Sequence, residues 1–446
     1  MIRRSVELAA SPFTLLHRAY HAAIPFDQRM ILWSWRRRKT FQLRLLRESL
    51  RRNLVRACQA EVRQIMAQYP DVKGVVIFPP SVPWYTELFQ RPQQMALAFA
   101  SLGYVVLYWV EDIDKEDESI RFRKVAERVH LCKVPPSAFW VCQRPIFISY
   151  TYNYNWASLL RAPRVVYELI DHLDIFSNFP ASALRRYHRR LLRRADVVVG
   201  TADDLLAELK PKRPDAILCP NGVDLAHFAT SDGSDRVDDN AIPADMRAIV
   251  ATGQPIIGYY GAMAEWFDFD LVKHAAEALP DFQFVLIGPD YDGLTMQKAG
   301  IEEHANIHWL GPKKYAELPN YLAGFDVATI PFKLSDALNA VSPIKLFEYM
   351  AGERPIVTTD LAECRKYPVV LIAHDATEWV ERLRQAVALR WDDSYRAELR
   401  RTAEANTWQA RAQTIVAALK AHSQKSQDRL AASAQPQPKQ EGAVVP

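Results

Sequence analysis

The chain has 446 residues, 49% hydrophobic and 24% charged, an ordinary globular composition that excludes a disordered, collagen-like or disulfide-built protein for its bulk. That length predicts two domains of ~150–200 residues with additional segments at the ends. The net charge of +4 hides an asymmetry: residues 1–70 hold 14 basic and 4 acidic side chains, a balance of +10, which leaves −6 for the rest.

The five cysteines (Cys58, Cys132, Cys142, Cys219, Cys364) lie far apart with no CxxC pair, which argues for a reducing compartment and against structural zinc. No run of apolar residues is long enough for a membrane span, and Arg3-Arg4 is followed by Ser5 and Glu7 in place of a signal-peptide core. The expected location is cytoplasmic, with peripheral contact at an inner membrane.

Residues 1–71 read as a basic helical extension. Leu43, Leu46, Leu50, Leu54, Cys58, Val62 and Ile65 recur at three- and four-residue steps and predict one apolar face, with arginines on the other. Upstream, Trp33 and Trp35 abut Arg36-Arg37-Arg38-Lys39, a pattern suited to an anionic lipid surface. The plainer alternative is a helical hairpin packed on the body. No recognised nucleic-acid motif accompanies the charge, so nucleic acid is not an expected partner.

From residue 72 to 229 short apolar runs alternate with amphipathic stretches. Runs at 74–78, 104–109, 146–149, 164–167 and 196–199 predict strands of a parallel sheet covered on both faces by helices. The acidic stretch within 230–247 has linker composition. The alternation then restarts over 248–422, with strands near 255–261, 284–288, 307–311, 327–331 and 356–359, and closes in a helical stretch from Thr377 to His422. Residues 423–446 predict a disordered tail. The fold class is therefore α/β, two doubly wound halves facing a cleft, a preferred place for substrates.

The segment from Val341 to Gly352 carries the chemistry. Ser342 suits an N-cap and Pro343 the first helical position, so a helix should open here. Lys345 then stands in the first turn, where the helix dipole repels a cation by ~0.3–1 kcal/mol. A bound anion reverses that sign, because free N–H groups, dipole and ammonium would all point at it. Glu348, one turn on, could accept hydrogen bonds from the hydroxyls of a ribose on a diphosphate. The bland alternative is a Lys345–Glu348 pair worth ~0.2–0.5 kcal/mol.

Ser342-Pro343-x-Lys345-x-x-Glu348-Tyr349-Met350-Ala351, followed by Arg354-Pro355, resembles the donor-site signature of GT-B-fold glycosyltransferases. The nearest likeness is to the group 1, family 4-like enzymes of bacterial exopolysaccharide, capsule and cell-wall polymer synthesis. Gln90-Arg91-Pro92, Pro220-Asn221-Gly222 and Tyr260-Gly261 fit the same family. The likeness covers about Val72 to Ile415 and omits the basic arm and the tail. It implies a UDP- or GDP-linked sugar donor, no bound metal or other cofactor, and a glycan or lipid-linked acceptor.

It further implies that Lys345 holds the diphosphate and Glu348 the ribose, with Gly261, Ser342 and Pro343 beside them. Two departures stand out. Ala340 occupies the place of the family's first glutamate, and Ala262 to Asp268 lack the usual cations, which loads more of the leaving-group charge onto Lys345.

Beyond the strand at 164–167, Glu168, Asp171 and His172 are candidates for a general base, Asp171 foremost. Trp84, Gln90 and Arg91 are candidate acceptor contacts, with Arg91 available for a phosphate or carboxylate. Trp84 could equally pack under its loop, and Asn221 reads first as a turn residue. Asp112-Ile113-Asp114 has the letters of a metal motif but lies in a charged stretch that reads as solvated loop. A nucleotide-sugar-binding scaffold that has lost catalysis and a nucleotide-sugar isomerase of the same fold are the competing functions.

Overall fold

The computed structural model describes residues 39–434 apart from 87, 114–116, 118, 174–178, 229–241, 292 and 294. The aromatic–cationic block before Lys39, most of the acidic linker and the last residues of the tail lie outside the described residues. Each predicted α/β half forms a sheet. In the first, β1 (Val75–Phe78), β2 (Val105–Trp109), β3 (Phe122–Ala126), β4 (Val129–Cys132), β5 (Ile146–Ser149), β6 (Arg164–Leu169), β7 (Val197–Gly200) and β8 (Ile217–Leu218) lie in the order β3-β4-β2-β1-β5-β6-β7-β8. All neighbours are parallel except the β3–β4 hairpin.

The second sheet holds β9 (Ile256–Tyr260), β10 (Gln283–Ile287), β11 (Ile307–Trp309), β12 (Val327–Ile330), β13 (Ile356–Thr359) and β14 (Val370–Ala373) in the order β11-β10-β9-β12-β13-β14, all parallel. Most of these strands are apolar and buried along their whole length, as sheets covered on both faces require. Winding reverses between β9 and β12 in one sheet and between β1 and β5 in the other. Ligands bind beyond the strand carboxyl ends at such switch points.

The helical extension is anchored to the first half. Helix α1 (39–48) ends in a turn, and α2 (Arg52–Ala67) follows as a separate helix. Leu45 on α1 and Cys58, Val62 and Ile65 on α2 are buried in the first lobe's core. The single apolar face predicted from Leu43 onward is therefore not formed. The turn at 49–51 rotates α1 so that Leu45 points inward while Leu43, Leu46 and Leu50 are exposed. The described part of the extension follows the hairpin alternative.

The helical closure also differs from the expectation. It comprises α7 (Ala376–Leu389), α8 (Asp393–Glu404) and α9 (Trp408–Ala434), and α9 continues well past residue 422 into the predicted tail. Trp408, Ala412, Ile415 and Leu419 of α9 join the core of the first lobe, beside α3 (Arg91–Ser101), and not that of the second. The chain thus crosses between lobes twice. Val223 exchanges backbone hydrogen bonds with Asn406 and Trp408 at this return, and a Cβ on Gly222 would stand 2.8 Å from the Asn406 carbonyl oxygen. Glycine is what lets the two segments approach.

Candidate active site between the lobes

The second sheet's switch point brings together the turn after β9 and the segment after β12. Helix α6 (Ile344–Ala351) opens there with Pro343 as its N-cap, at φ −71° and ψ 120°. Ser342 is not the cap predicted. Its Oγ accepts a hydrogen bond from the Asn221 backbone N–H at 3.1 Å, and its carbonyl accepts from Asn221 Nδ2 at 2.6 Å. No side chain satisfies the first-turn N–H groups of α6, and no acid stands in that turn.

Lys345 occupies that first turn. Its ammonium lies 5.0 Å from the Tyr259 ring centre and 4.8 Å from that of Phe332, a favourable arrangement of cation and aromatic faces. Among the described residues it forms no ion pair within 4.0 Å, so the local Lys345–Glu348 pair is not made. Loss of water pulls its pKa down to about 8, against the opposing pull of the Glu348 charge. Gly261, at φ +143°, is shaped to this side chain: a Cβ there would stand 2.8 Å from Lys345 Cε and 2.9 Å from Nζ.

Glu348 is 4% exposed, and burial pushes its carboxyl up to about 7, offset in part by the Tyr260 hydroxyl and by Lys345. The Tyr260 hydroxyl lies near it without an aligned hydrogen bond and has no other partner. One cation and one carboxyl group, both short of partners, thus share a helix face at the switch point.

Sequence patterns did not single out Tyr315. Its ring stacks on Phe89 of the first lobe at 5.0 Å and on His227 at 4.4 Å, and its hydroxyl accepts from Gln94 Nε2 at 2.7 Å. Burial and the Glu348 charge both raise its pKa, which places it electrostatically beside the site. The Tyr in Lys313-Lys314-Tyr315 follows a strand of the second half, the one signal that could have flagged it.

On the first lobe the predicted residues separate. Asp171 lies just beyond β6, and burial lifts its carboxyl to about 7, a range suited to proton transfer near neutral pH. His172 is its neighbour. Glu168 is unsuited to that role, because it is 1% exposed and paired with Arg91 at 2.6 Å.

Arg91 itself corrects an expectation. It is not an open acceptor contact: both Nε and one terminal nitrogen donate to Glu168 Oε1, while the other terminal nitrogen donates to the Pro220 carbonyl and Asn221 Oδ1. Its charge is consumed in holding β6, α3 and the Asn221 turn together. Gln90 is the N-cap of α3, and its backbone N–H donates to Gln93 Oε1 at 3.1 Å. Trp84 packs edge-on against Tyr108 and Phe89, which is the packing alternative. Asn221 is more than a turn residue, since it ties Arg91 to Ser342 and accepts from Arg411 of α9 at its carbonyl. Asp112 is an exposed loop residue, in keeping with the solvated-loop reading, and pairs with the buried Lys133 ammonium at 3.2 Å. Among the described residues, no three His, Cys, Asp or Glu side chains gather as a metal cage.

Residues 254–388, the second half, match the model of the family "Glycosyl transferases group 1". This part of the chain is a group 1 glycosyltransferase domain by that match, and the fold of the whole is GT-B. The chain is 25% identical over 269 residues to a Bacillus subtilis protein described as a teichuronic acid biosynthesis glycosyltransferase, TuaH. That match covers 56% of this chain and 66% of the relative, just short of two thirds of it. A glycosyltransferase from Rickettsia africae superposes with a TM-score of 0.60 at 13% identity, over 78% of this chain and 98% of that one. Anabaena HepE in complex with UDP-glucose superposes at 0.54 and 13% identity, over 80% and 100%.

Replacing Arg91 by Ala leaves the Glu168 carboxylate buried without a partner. Such losses cost about 3–5 kcal/mol, so urea unfolding of Arg91→Ala should show a deficit of that size. A deficit under about 1 kcal/mol would return Arg91 to the role of a ligand contact.

Proposed function

We propose that this protein transfers a sugar from a nucleoside diphosphate sugar, UDP- or GDP-linked, to a glycan or lipid-linked acceptor in surface polysaccharide synthesis, without a metal. The observation that carries the proposal is Lys345, whose ammonium stands in the first turn of α6 with no ion-pair partner among the described residues. Breaking the sugar–phosphate bond builds negative charge on the leaving diphosphate. A preorganised cation and helix N–H groups stabilise that charge more than they stabilise the ground state. Glu348, one turn further along, accepts from the ribose hydroxyls. The UDP-glucose bound by the structurally similar HepE and the polymer named for the TuaH relative agree with this donor and this pathway class.

Asp171, beyond the central strand of the facing lobe, is the proposed base for the acceptor hydroxyl. With a carboxyl near 7 it is half-deprotonated at neutral pH and can take a proton without being locked in its charged form. Gln90 and Trp84 shape the loop after β1 by capping and packing.

No helix of the described residues is long and apolar enough to cross a membrane. Contact with an anionic inner-membrane surface is assigned to residues before Lys39, since α1 and α2 are taken up by the first lobe's core. A truncation intended to test the arm therefore has to stop at residue 38. Removing residues 1–38 should release the protein from phosphatidylglycerol-containing vesicles while UDP affinity stays unchanged. Undiminished sedimentation of the truncated protein with the vesicles would exclude the arm.

The donor site has a pH signature. The Lys345 charge is present below about pH 8 and lost above it. Affinity for UDP should thus fall roughly tenfold per pH unit above 8 in calorimetric titrations. Lys345→Ala should lose at least tenfold at pH 7 and lack this alkaline limb, with sugar transfer abolished. Full UDP affinity combined with no transfer to any acceptor by the unaltered protein would favour the scaffold; donor turnover without acceptor would favour the isomerase.

A further inference from the structure

The first sheet has a switch point of its own, between β1 and β5. A pocket opens there, lined by Ser81 beyond β1, Asn153 beyond β5, Trp156, Tyr187, Pro180 and, from the extension helix α1, Lys39. Three features of its wall point to a ligand. Asn153 is 2% exposed; its Oδ1 accepts from the Tyr150 N–H at 2.8 Å, which leaves its amide nitrogen buried and unpartnered at the pocket. The Ser81 hydroxyl is buried beside the Tyr108 hydroxyl, without an aligned hydrogen bond.

Helix α4 (Ala181–Arg194) begins at the pocket with Pro180 as its cap, no capping side chain and no acid in its first turn, so its N-terminal N–H groups and dipole face the opening. That helix bears arginines at 185, 186, 189, 190, 193 and 194 and no acidic residue. Lys39 adds a cation at the rim, and Arg36, Arg37 and Arg38 precede it directly in the chain.

We infer that this pocket is a subsite for an anionic saccharide of the acceptor, one bearing a carboxylate or a phosphate. The inference rests on the proposed glycosyl transfer and extends it. Aromatic side chains offer C–H-rich sugar faces a surface to pack on, buried amide and hydroxyl groups offer hydrogen bonds, and the helix terminus with Lys39 offers a seat for one negative charge.

Position supports the same assignment. β6 is the direct neighbour of β5, and strands stand ~4.8 Å apart. Asp171, just beyond β6, thus follows the strand adjacent to the one whose end supplies Asn153. A sugar seated there would present its neighbour to the base. The subsite also explains why the extension is folded into this lobe: α1 supplies part of the wall.

The test is calorimetric titration of the full chain with three probes: a glucuronic acid-containing disaccharide, glucose 1-phosphate and neutral maltose. At least one anionic probe should bind, and at least tenfold more tightly than maltose. Preference for the uronide identifies an acidic sugar, and preference for the phosphate identifies the phosphate-bearing end of a lipid-linked glycan. Asn153→Asp keeps the acceptor oxygen for Tyr150 but replaces the free donor by negative charge, and should weaken the anionic probe at least tenfold while leaving UDP affinity intact. Lys39→Ala, at the rim and harmless to the core, should weaken it severalfold.

Equal binding of maltose and the anionic probes, no binding of any probe, or indifference of both variants would overturn the inference. UDP binding with a silent pocket would leave the donor site standing. Saccharide binding without any nucleotide affinity would instead sink the transfer reaction and keep the pocket.

Discussion

A cation at the wrong end of a helix is the constraint around which this protein is arranged. The dipole of α6 disfavours Lys345, burial disfavours its charge further, and the Glu348 charge offsets only part of that cost without forming an ion pair. The fold nonetheless secures the side chain. Gly261 leaves room that any Cβ would fill, Tyr259 and Phe332 hold the ammonium by their faces, and Pro343 fixes the direction in which the helix starts. Local strain of this kind is retained where a ligand relieves it. A diphosphate would satisfy the helix N–H groups and the ammonium together.

The same helix is bolted to the opposite lobe. From Glu168 on β6 the polar chain runs through Arg91 and Asn221 to Ser342, next to the α6 cap, and Arg411 of the returning helix joins it at Asn221. Tyr315 makes a second bridge through Phe89 and Gln94. Helix α6 and strand β6 of the opposite lobe are thus linked through hydrogen bonds, which fix geometry because each donor left unpaired would be costly. Each of the two sheets has its own switch point, at β9 and β12 in one and at β1 and β5 in the other.

Much of this was legible in the residues alone. Fully apolar strand runs alternating with helices can be buried on both faces only in parallel sheets, and the acidic stretch near residue 235 marks the boundary between the two. Lys345 and Glu348 stood out because a lysine in a first helical turn breaks a local electrostatic rule, and such violations concentrate at functional sites. Arg91 misled for the converse reason. A guanidinium beyond the first strand looks the same in sequence whether it faces a ligand or a buried Glu168. Its partner is 77 residues away, and nothing local announces it. The turn at 49–51 that splits the extension, and the return of α9 to the first lobe, are tertiary decisions of the same sort. Leucine spacing predicted helical segments but neither the break between them nor which leucines would be covered.

The most direct measurement is a crystal structure of the protein soaked with UDP. The account predicts the β-phosphate within about 2.7–2.9 Å of Lys345 Nζ, close to the first N–H groups of α6, with the ribose hydroxyls on Glu348. A diphosphate bound away from α6, or a Lys345 that turns to pair with Glu348 when the nucleotide binds, would contradict it.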